Sequence, residues 1–373
     1  MTLGVQVQIT VGKGGIEPLG LTLTNLIEQI EVNEVADGQS GFRISFSGAR
    51  SGSGAGADYA VLADSRIGLF NRVRISVFVG SGSTILMDGV ITNIWADPGR
   101  GGGASQLVVT GSDLSAVMDR EEKTETWEGR NEADTVLAIL MKYSEYGLFP
   151  VRAVGGARLD PKEETPTQRG TDLNHIYQLA DLFGYVFALY PGTPTVAYWG
   201  PPQPDTVPLP ALSVDTGTLG NVNHLTFTFD GMAASSVSGT IKDPTTGAAT
   251  PVTSTPPGGA LASASAFTNT ALVRKLKLAF AGGMTDSQAA ALAQGVVRRS
   301  AKRVVRGQGE VSSLAYGGVM NAGKIIGVRG AGASFDGNYL IEQVSHTLER
   351  GKYLQSFTIV RDGTGSTTPL VRP

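Results

Sequence analysis

The chain has 373 residues, enough for two or three domains and more than one hydrophobic core. Lys and Arg number 30 against 33 Asp and Glu, and the formal net charge of -3 leaves no global field to draw in nucleic acid or an anionic membrane surface. The absence of cysteine excludes a disulfide scaffold, a thiolate zinc site and a cysteine nucleophile.

The first segment reads as strands. VQVQITV (5–11), FRISFSG (42–48), VRISVFVG (73–80), DGVITNIWA (88–96) and SQLVVTG (105–111) alternate with period two and are rich in β-branched residues. Gly- and Ser-rich stretches at 50–58, 80–83 and 98–105 separate them, so a barrel or sandwich is expected. The pattern then becomes helical. In NEADTVLAILMKYSEYG (131–147), Val136, Ile139, Leu140 and Tyr143 recur at helical spacing, with Asn131 as N-cap and Gly147 as stop. A second helix is expected over 171–184, and the strands YVFALYPG and TVAYWGP follow it.

Residues 200–212 are proline-rich and read as a linker. HLTFTFD (224–230) and RKLKLAFA (274–281) are strands, and the low-complexity stretch 243–265 between them is expected to be a long exposed loop. TDSQAAALAQGVVRRSAKRVVRG (285–307) has the apolar stripe of an amphipathic helix, capped by Thr285 or Asp286. EVSSLA, GKIIGVRG and a hairpin over 335–363 complete the chain. The plan is β, then α/β, then β again. No strict sequence repeat is visible, but two β modules of similar size raise a divergent structural repeat.

Charged residues make up 17% of the chain, below the roughly 25% of ordinary soluble domains. A surface covered by other subunits would give this balance, and so would a β-protein with many turns. No run approaches the roughly 18 apolar residues of a membrane span. The N-terminus lacks the charged-then-apolar pattern of a secretory signal, so the expected place is the cytoplasm unless a larger assembly exports the chain.

The search for chemistry finds no reactive constellation. His175, His224 and His346 lie one per region, without the spacing of a zinc site. No GxSxG elbow supports a hydrolase triad. GSGAGA (52–57) and GRGGGAS (99–105) lack the preceding strand, following helix and glycine spacing of a phosphate loop. DREEKTE (119–125) reads as a solvated strand edge, and RRSAKR (298–303) as the polar face of its helix. His346 is expected to be a partly buried residue bonded to backbone. No catalytic, cofactor-binding or metal residue is assigned.

Three stretches together resemble a known family. TPTQRGTDLNHIYQLADLFGYVFAL (165–189) is similar to a signature of the phage late control protein D and VgrG family, the baseplate hubs of contractile tails and type VI secretion spikes. The helix at 289–311 and the closing NAGKIIGVRGAGASFDGNYLIEQVSHTLERGKYLQSFTIVRDG (321–363) resemble that family's final pattern. SDLSAVMDREEKTETWEG (112–129) fits its passage out of the first barrel. There are departures: Gly170 and Thr171 precede Asp172 where an acidic residue is usual, and Asn321-Ala322-Gly323 replaces proline-glycine.

The resemblance implies a mainly β fold with a small α/β section. Two tail-tube-like β-barrel domains, 1–114 and 211–373, would flank an α/β linking domain at 115–210. The second barrel domain, 211–373, would carry the long loop 243–265 and the helix 285–307. It also implies a non-enzymatic hub without a spike needle, joining a sixfold tail tube to a threefold spike. The implied partners are two further copies in a homotrimer, a separate central spike protein, a tail-tube or tube-initiator protein, and other baseplate proteins of LysM or wedge type. No cofactor, nucleic-acid binding or membrane insertion is implied. The hub would assemble in the bacterial host cytoplasm and end in the tail baseplate or injection-system particle. Tube-facing elements would include the hairpin Tyr339–Phe357 and the strands Val73–Val79 and Val90–Trp95, with helix 171–183 in the linking part. The alternatives are a tail-tube or tube-initiator protein and a tail-associated cell-wall hydrolase.

Overall fold

Alternation of apolar and polar residues sets the first strands. The computed structural model describes residues 5–48, 58–99, 105–152, 167–202, 207–215, 217, 220–242, 247–257, 261–269, 271–279 and 286–367. It begins with β1 (Gln6–Gly12), the two-residue β2 (Glu17–Pro18), a helical turn α1 (Leu21–Thr24), β3 (Ile27–Val35), β4 (Gly41–Ser47), β5 (Arg72–Val79), β6 (Gly82–Asp97) and β7 (Gln106–Asp113). These strands pair antiparallel in the order β3-β4-β7-β6-β5-β1-β2. Their inward side chains, among them Val32, Ile44, Phe46, Ile75, Val77 and Leu107, enclose one core.

A 3-10 turn (Leu114–Asp119) leads to β8 (Glu122–Thr126) and α2 (Glu132–Met141). The Asp134 N–H donates to the Asn131 side chain at 2.9 Å, which caps α2. β9 (Leu148–Arg152) and β10 (Thr167–Thr171) follow. α3 (Asp172–Phe183) then starts at Thr171, whose hydroxyl accepts from the Asn174 N–H at 3.2 Å. It stops at Gly184, in the left-handed conformation with φ 61. β11 (Val186–Tyr190) and β12 (Thr195–Gly200) form a small sheet with β9, and β10 pairs with β8. Val136, Ile139, Ile176, Phe183, Phe187 and Trp199 fill a second core between helices and sheet.

Three expectations for the last third change. The expected linker carries a strand, β13 (Leu209–Ser213), which among the described residues pairs with β20 alone, an edge position that tolerates Pro210; residues 203–206 lie outside the described residues. After β14 (His224–Phe229) and β15 (Ser235–Lys242), the expected loop 243–265 supplies β16 (Ala249–Thr253) and β17 (Ala262–Ser265), its residues 243–246 and 258–260 being outside the described residues. β16 pairs with β15 and places Val252 beside Val237 and Ile241, so ladder bonds and a small core offset the weak strand propensity of Ala249 and Pro251. After β18 (Arg274–Ala279), α4 (Asp286–Ala301) ends well short of 307 and the chain enters β19 (Val305–Ser312). Burial there alternates with period two through Val305, Gly307, Gly309 and Val311. The glycines let rings close in: a Cβ on Gly307 would lie 2.9 Å from the Phe227 ring, and one on Gly309 2.8 Å from that of Phe357.

The short α5 (Ser313–Tyr316), β20 (Ile325–Arg329), β21 (Gly337–Glu349), β22 (Lys352–Arg361) and β23 (Gly363–Ser366) complete the fold. β17 pairs with β23. Val311, Ile326, Tyr339, Val344, Phe357 and Ile359 form the core of this part.

The two strand-rich parts join. β21 pairs with β22 from Leu340 to Glu349, and its other edge serves two partners in succession: β20 at 337–340 and β3 at 343–349. A bulge between Ile341 and Gln343 marks the change of partner. One continuous path, β14-β19-β22-β21-β3-β4-β7-β6-β5-β1-β2, therefore crosses both halves of the chain.

Candidate assembly surface

Residues paired across an antiparallel ladder point to the same face, so register dictates what this long sheet presents. One row reads His224, Glu310, Ser356, Ser345, Asn33 and Gly41, from β14 to β4. The next reads Thr226, Gln308, Thr358 and Gln343. A third runs Leu354, Thr347, Glu31, Arg43, Thr110 and Asn93, ending on β6. The opposite face carries Val32, Ile44, Val344 and Phe357 into the cores. The outward face is polar along these rows apart from Leu354, with Val360, Val108 and Trp95 as apolar members of the flanking rows; Glu31 lies opposite Arg43, and Arg306 sits 3.7 Å from Glu342. Side-chain bonds cross the junction between the halves. Asn33 Oδ1 accepts from Gln343 Nε2 at 2.7 Å and from Ser345 Oγ at 3.0 Å, and Gln29 Nε2 donates to Glu349 at 3.1 Å.

Two strand edges are open among the described residues, one at the β14 end of the path and one inside it. β14 pairs with β19 alone and presents Phe229, 44% exposed. β6 beyond Ile91 pairs with β7 alone and presents Trp95, 49% exposed. Such edges are templates for another chain.

The histidines do not converge into a reactive group. His346 is fully buried, and its partners are side chains rather than the expected backbone. Its Nδ1 lies 2.9 Å from the Tyr353 hydroxyl, and its Nε2 lies 3.4 Å from Glu34 Oε1, off line for a hydrogen bond. Burial pushes the Tyr353 phenol far above its usual range. Glu34 also accepts from the Ala322 N–H at 3.2 Å and from the Asn321 amide, so this buried cluster ties β3 to β21, β22 and the loop before β20. His175 is buried within α3, and burial lowers its pKa. His224 starts β14, exposed and opposite Glu310. Among the described residues no group of three His, Asp or Glu could hold a metal ion, and no helix is long and apolar enough to cross a membrane.

The other flagged motifs resolve into structure. GSGAGA (52–57) and residues 100–104 of the second glycine stretch lie outside the described residues. DREEKTE contributes β8, where Lys123 reaches Asp172 at 3.0 Å. The basic cluster on α4 binds the end of α3: Arg298 donates to the Phe183 carbonyl at 2.9 Å and Arg299 to that of Asp181, while Lys302 pairs with Asp37 at 3.4 Å. These cations sit at the negative end of a helix dipole. Of the strands expected to face a tube, β5 turns Val73, Ile75 and Val77 into the core, while β6 passes from buried Val90 to exposed Trp95. The hairpin of β21 and β22 lies mid-sheet rather than at an edge.

Sequence reasoning missed the joint between the first β part and the α/β part. Buried Asp88 on β6 accepts two bonds of 2.7 Å from Arg72, one of 2.8 Å from Arg74 and one of 2.8 Å from Thr195 of β12. Burial alone would raise this carboxyl; the two guanidiniums outweigh it and hold the pKa below the usual range. Asp88 is followed by Gly89 in an apolar strand, and nothing in that local pattern signals a partner more than a hundred residues away.

Comparison with protein-family models and with curated proteins found no match. Solved structures do match in fold. A tail protein from Neisseria meningitidis MC58 superposes with a TM-score of 0.65 at 13% identity, covering 96% of this chain and 97% of its own. A 43 kDa tail protein of the prophage MuSo2 from Shewanella oneidensis gives 0.66 at 13% identity, covering 97% of this chain and 100% of its own. An E. coli component of the type VI secretion system, described as structurally similar to the T4 tail proteins gp27 and gp5, gives 0.55 at 13% identity, covering 99% and 81%. The chain shares the fold of these phage tail and type VI secretion proteins.

Proposed function

We propose that this chain is the structural hub of a contractile phage tail or injection system, joining a sixfold tail tube to a threefold central spike. The observation that carries the reading is the continuous sheet through both halves of the chain, with a mainly polar outward face over two apolar cores. Such a face suits the wall of a conduit, because it wets without holding cargo by its charge. Three copies, each bringing two related β modules, would present six similar contact surfaces to a tube and three to a spike. The open edges at β14 and β6 are where neighbouring copies would meet. The modules correspond to 1–114 and 211–373, with 115–210 as the linking part. The role is non-enzymatic, and the partners are the spike, the tube or its initiator, and other baseplate proteins. Assembly takes place in the host cytoplasm and ends in the tail or injection particle.

Native mass and negative-stain class averages of the purified chain, alone and with its spike, test this. A threefold ring with six lobes is the expected result. A sixfold ring would move the assignment to a tube or tube initiator. A monomer indifferent to the spike would overturn the hub.

A further inference from the structure

β6 is longer than its neighbours. Its first half, Gly82–Asp88, pairs with β5 on one side, but β7 reaches it only from Gly89, opposite Asp113. Among the described residues nothing pairs with the other edge of 82–88. Beyond Asp113 the chain leaves the sheet for the 3-10 turn, and the vacated lane opens into a cleft of about 720 Å³. Ser83, Thr84 and Ile85 all line it. Consecutive residues of a strand point to opposite faces, so contact with all three means that the cleft runs along the strand edge. An open edge presents backbone donors and acceptors at alternate residues.

The rest of the lining sets the chemistry. Tyr190 and Tyr198 of the α/β part form one wall, and Asn321–Lys324 another. Two buried carboxylates, Glu34 and Asp113, lie at the lining with Lys324 as the one cation, leaving a net negative site. Glu34 is held by long contacts, 3.2 Å from the Ala322 N–H, 3.3 Å from the Asn321 amide and 3.4 Å from His346 Nε2, so its oxygens can take a stronger donor. The volume lies within the range of sites that bury a small ligand.

We propose that this cleft binds a short extended peptide segment of a partner protein, which adds a strand to the open edge of β6 and sets a Lys or Arg side chain against Glu34. Backbone pairing supplies affinity and the carboxylate supplies selection. The site is separate from the outer edges at β14 and the end of β6, so it does not depend on ring formation.

The test is selection of a displayed library of random octapeptides on the immobilised full chain, followed by fluorescence anisotropy with the enriched peptides. Enrichment of segments carrying Lys or Arg is expected, with affinity falling about tenfold or more when that residue is replaced by Glu or when the protein carries Glu34→Gln. Because Glu34→Gln also disturbs the bonds to Asn321 and Ala322, Ile85→Arg provides a second variant. It blocks the cleft from the strand side, should abolish binding, and should leave the native mass unchanged. Amide exchange should slow at 82–88 in the complex. No enrichment, binding indifferent to both variants, or protection confined elsewhere would overturn the proposal.

Discussion

Asp113 shows how a single residue reports its surroundings. It ends β7, and its carboxylate accepts from the Ser40 N–H at 2.7 Å and from both the N–H and the hydroxyl of Ser115. Complete burial outweighs these bonds and pushes its pKa from 3.8 up to about 6. The folded carboxyl therefore holds its proton more tightly than the unfolded one. Its stabilising contribution is full below about pH 4 and is lost as the pH rises through 6. Asp113→Asn does not titrate, so the stability gap between wild type and variant should shrink by up to about 3 kcal/mol from pH 4 to pH 7. Urea midpoints of both proteins across that range measure it. A gap that stays constant with pH would mean that the carboxyl is ionised and solvated.

At the scale of elements, the contact of α3 with α4 rests on two glycines. A Cβ on Gly295 would lie 2.8 Å from the Gly184 N and 2.9 Å from the Leu182 carbonyl, and both are backbone atoms that cannot swing away. Ala in place of Gly inside a helix ordinarily stabilises by about 1 kcal/mol, whereas overpacking costs about 1–3 kcal/mol. Gly295→Ala should therefore destabilise by about 1–2 kcal/mol in chemical denaturation; a stabilised variant would show that the helices stand further apart. The helices themselves were legible because Asn131, Thr171 and Gly184 punctuate them and their apolar faces recur at 3.6 residues; Gly147, expected to stop α2, instead closes a 3-10 turn at Ser144–Tyr146 after the helix has ended at Met141. β3 was not legible. In IEQIEVNEV a bulge between Ile27 and Gln29 breaks the alternation, and Glu34 occupies an inward position that an apolar residue would normally mark. β16 and β17 escaped for another reason: the Ala and Pro they contain disfavour strands, and their pairing is decided by ladders to β15 and β23. The cleft shares this fate, since it exists only where β7 stops short of β6.

For the whole molecule, the decisive feature is that the first half does not complete its own core. Leu348 and Tyr353, from β21 and β22, pack in the first core beside Val32 and Ile44. Losing them would forfeit about 3–6 kcal/mol of burial, comparable to the 5–15 kcal/mol that holds a typical domain together. The edge of β3 would be bared as well, with Val32 and Ile30 beside it. A fragment comprising residues 1–202 should therefore aggregate or remain loosely packed when expressed alone, and should become soluble when co-expressed with 203–373. Light scattering and near-ultraviolet circular dichroism of the fragments, separately and together, would show this. If the 1–202 fragment is monomeric and unfolds cooperatively at the midpoint of the intact chain, β3 and β21 form only a surface contact. In that case the halves could also flex against each other within an assembly. If instead the fragments need each other, each chain enters an assembly as one stiff arc of sheet, and the curvature of any ring is set within the chain before the copies meet.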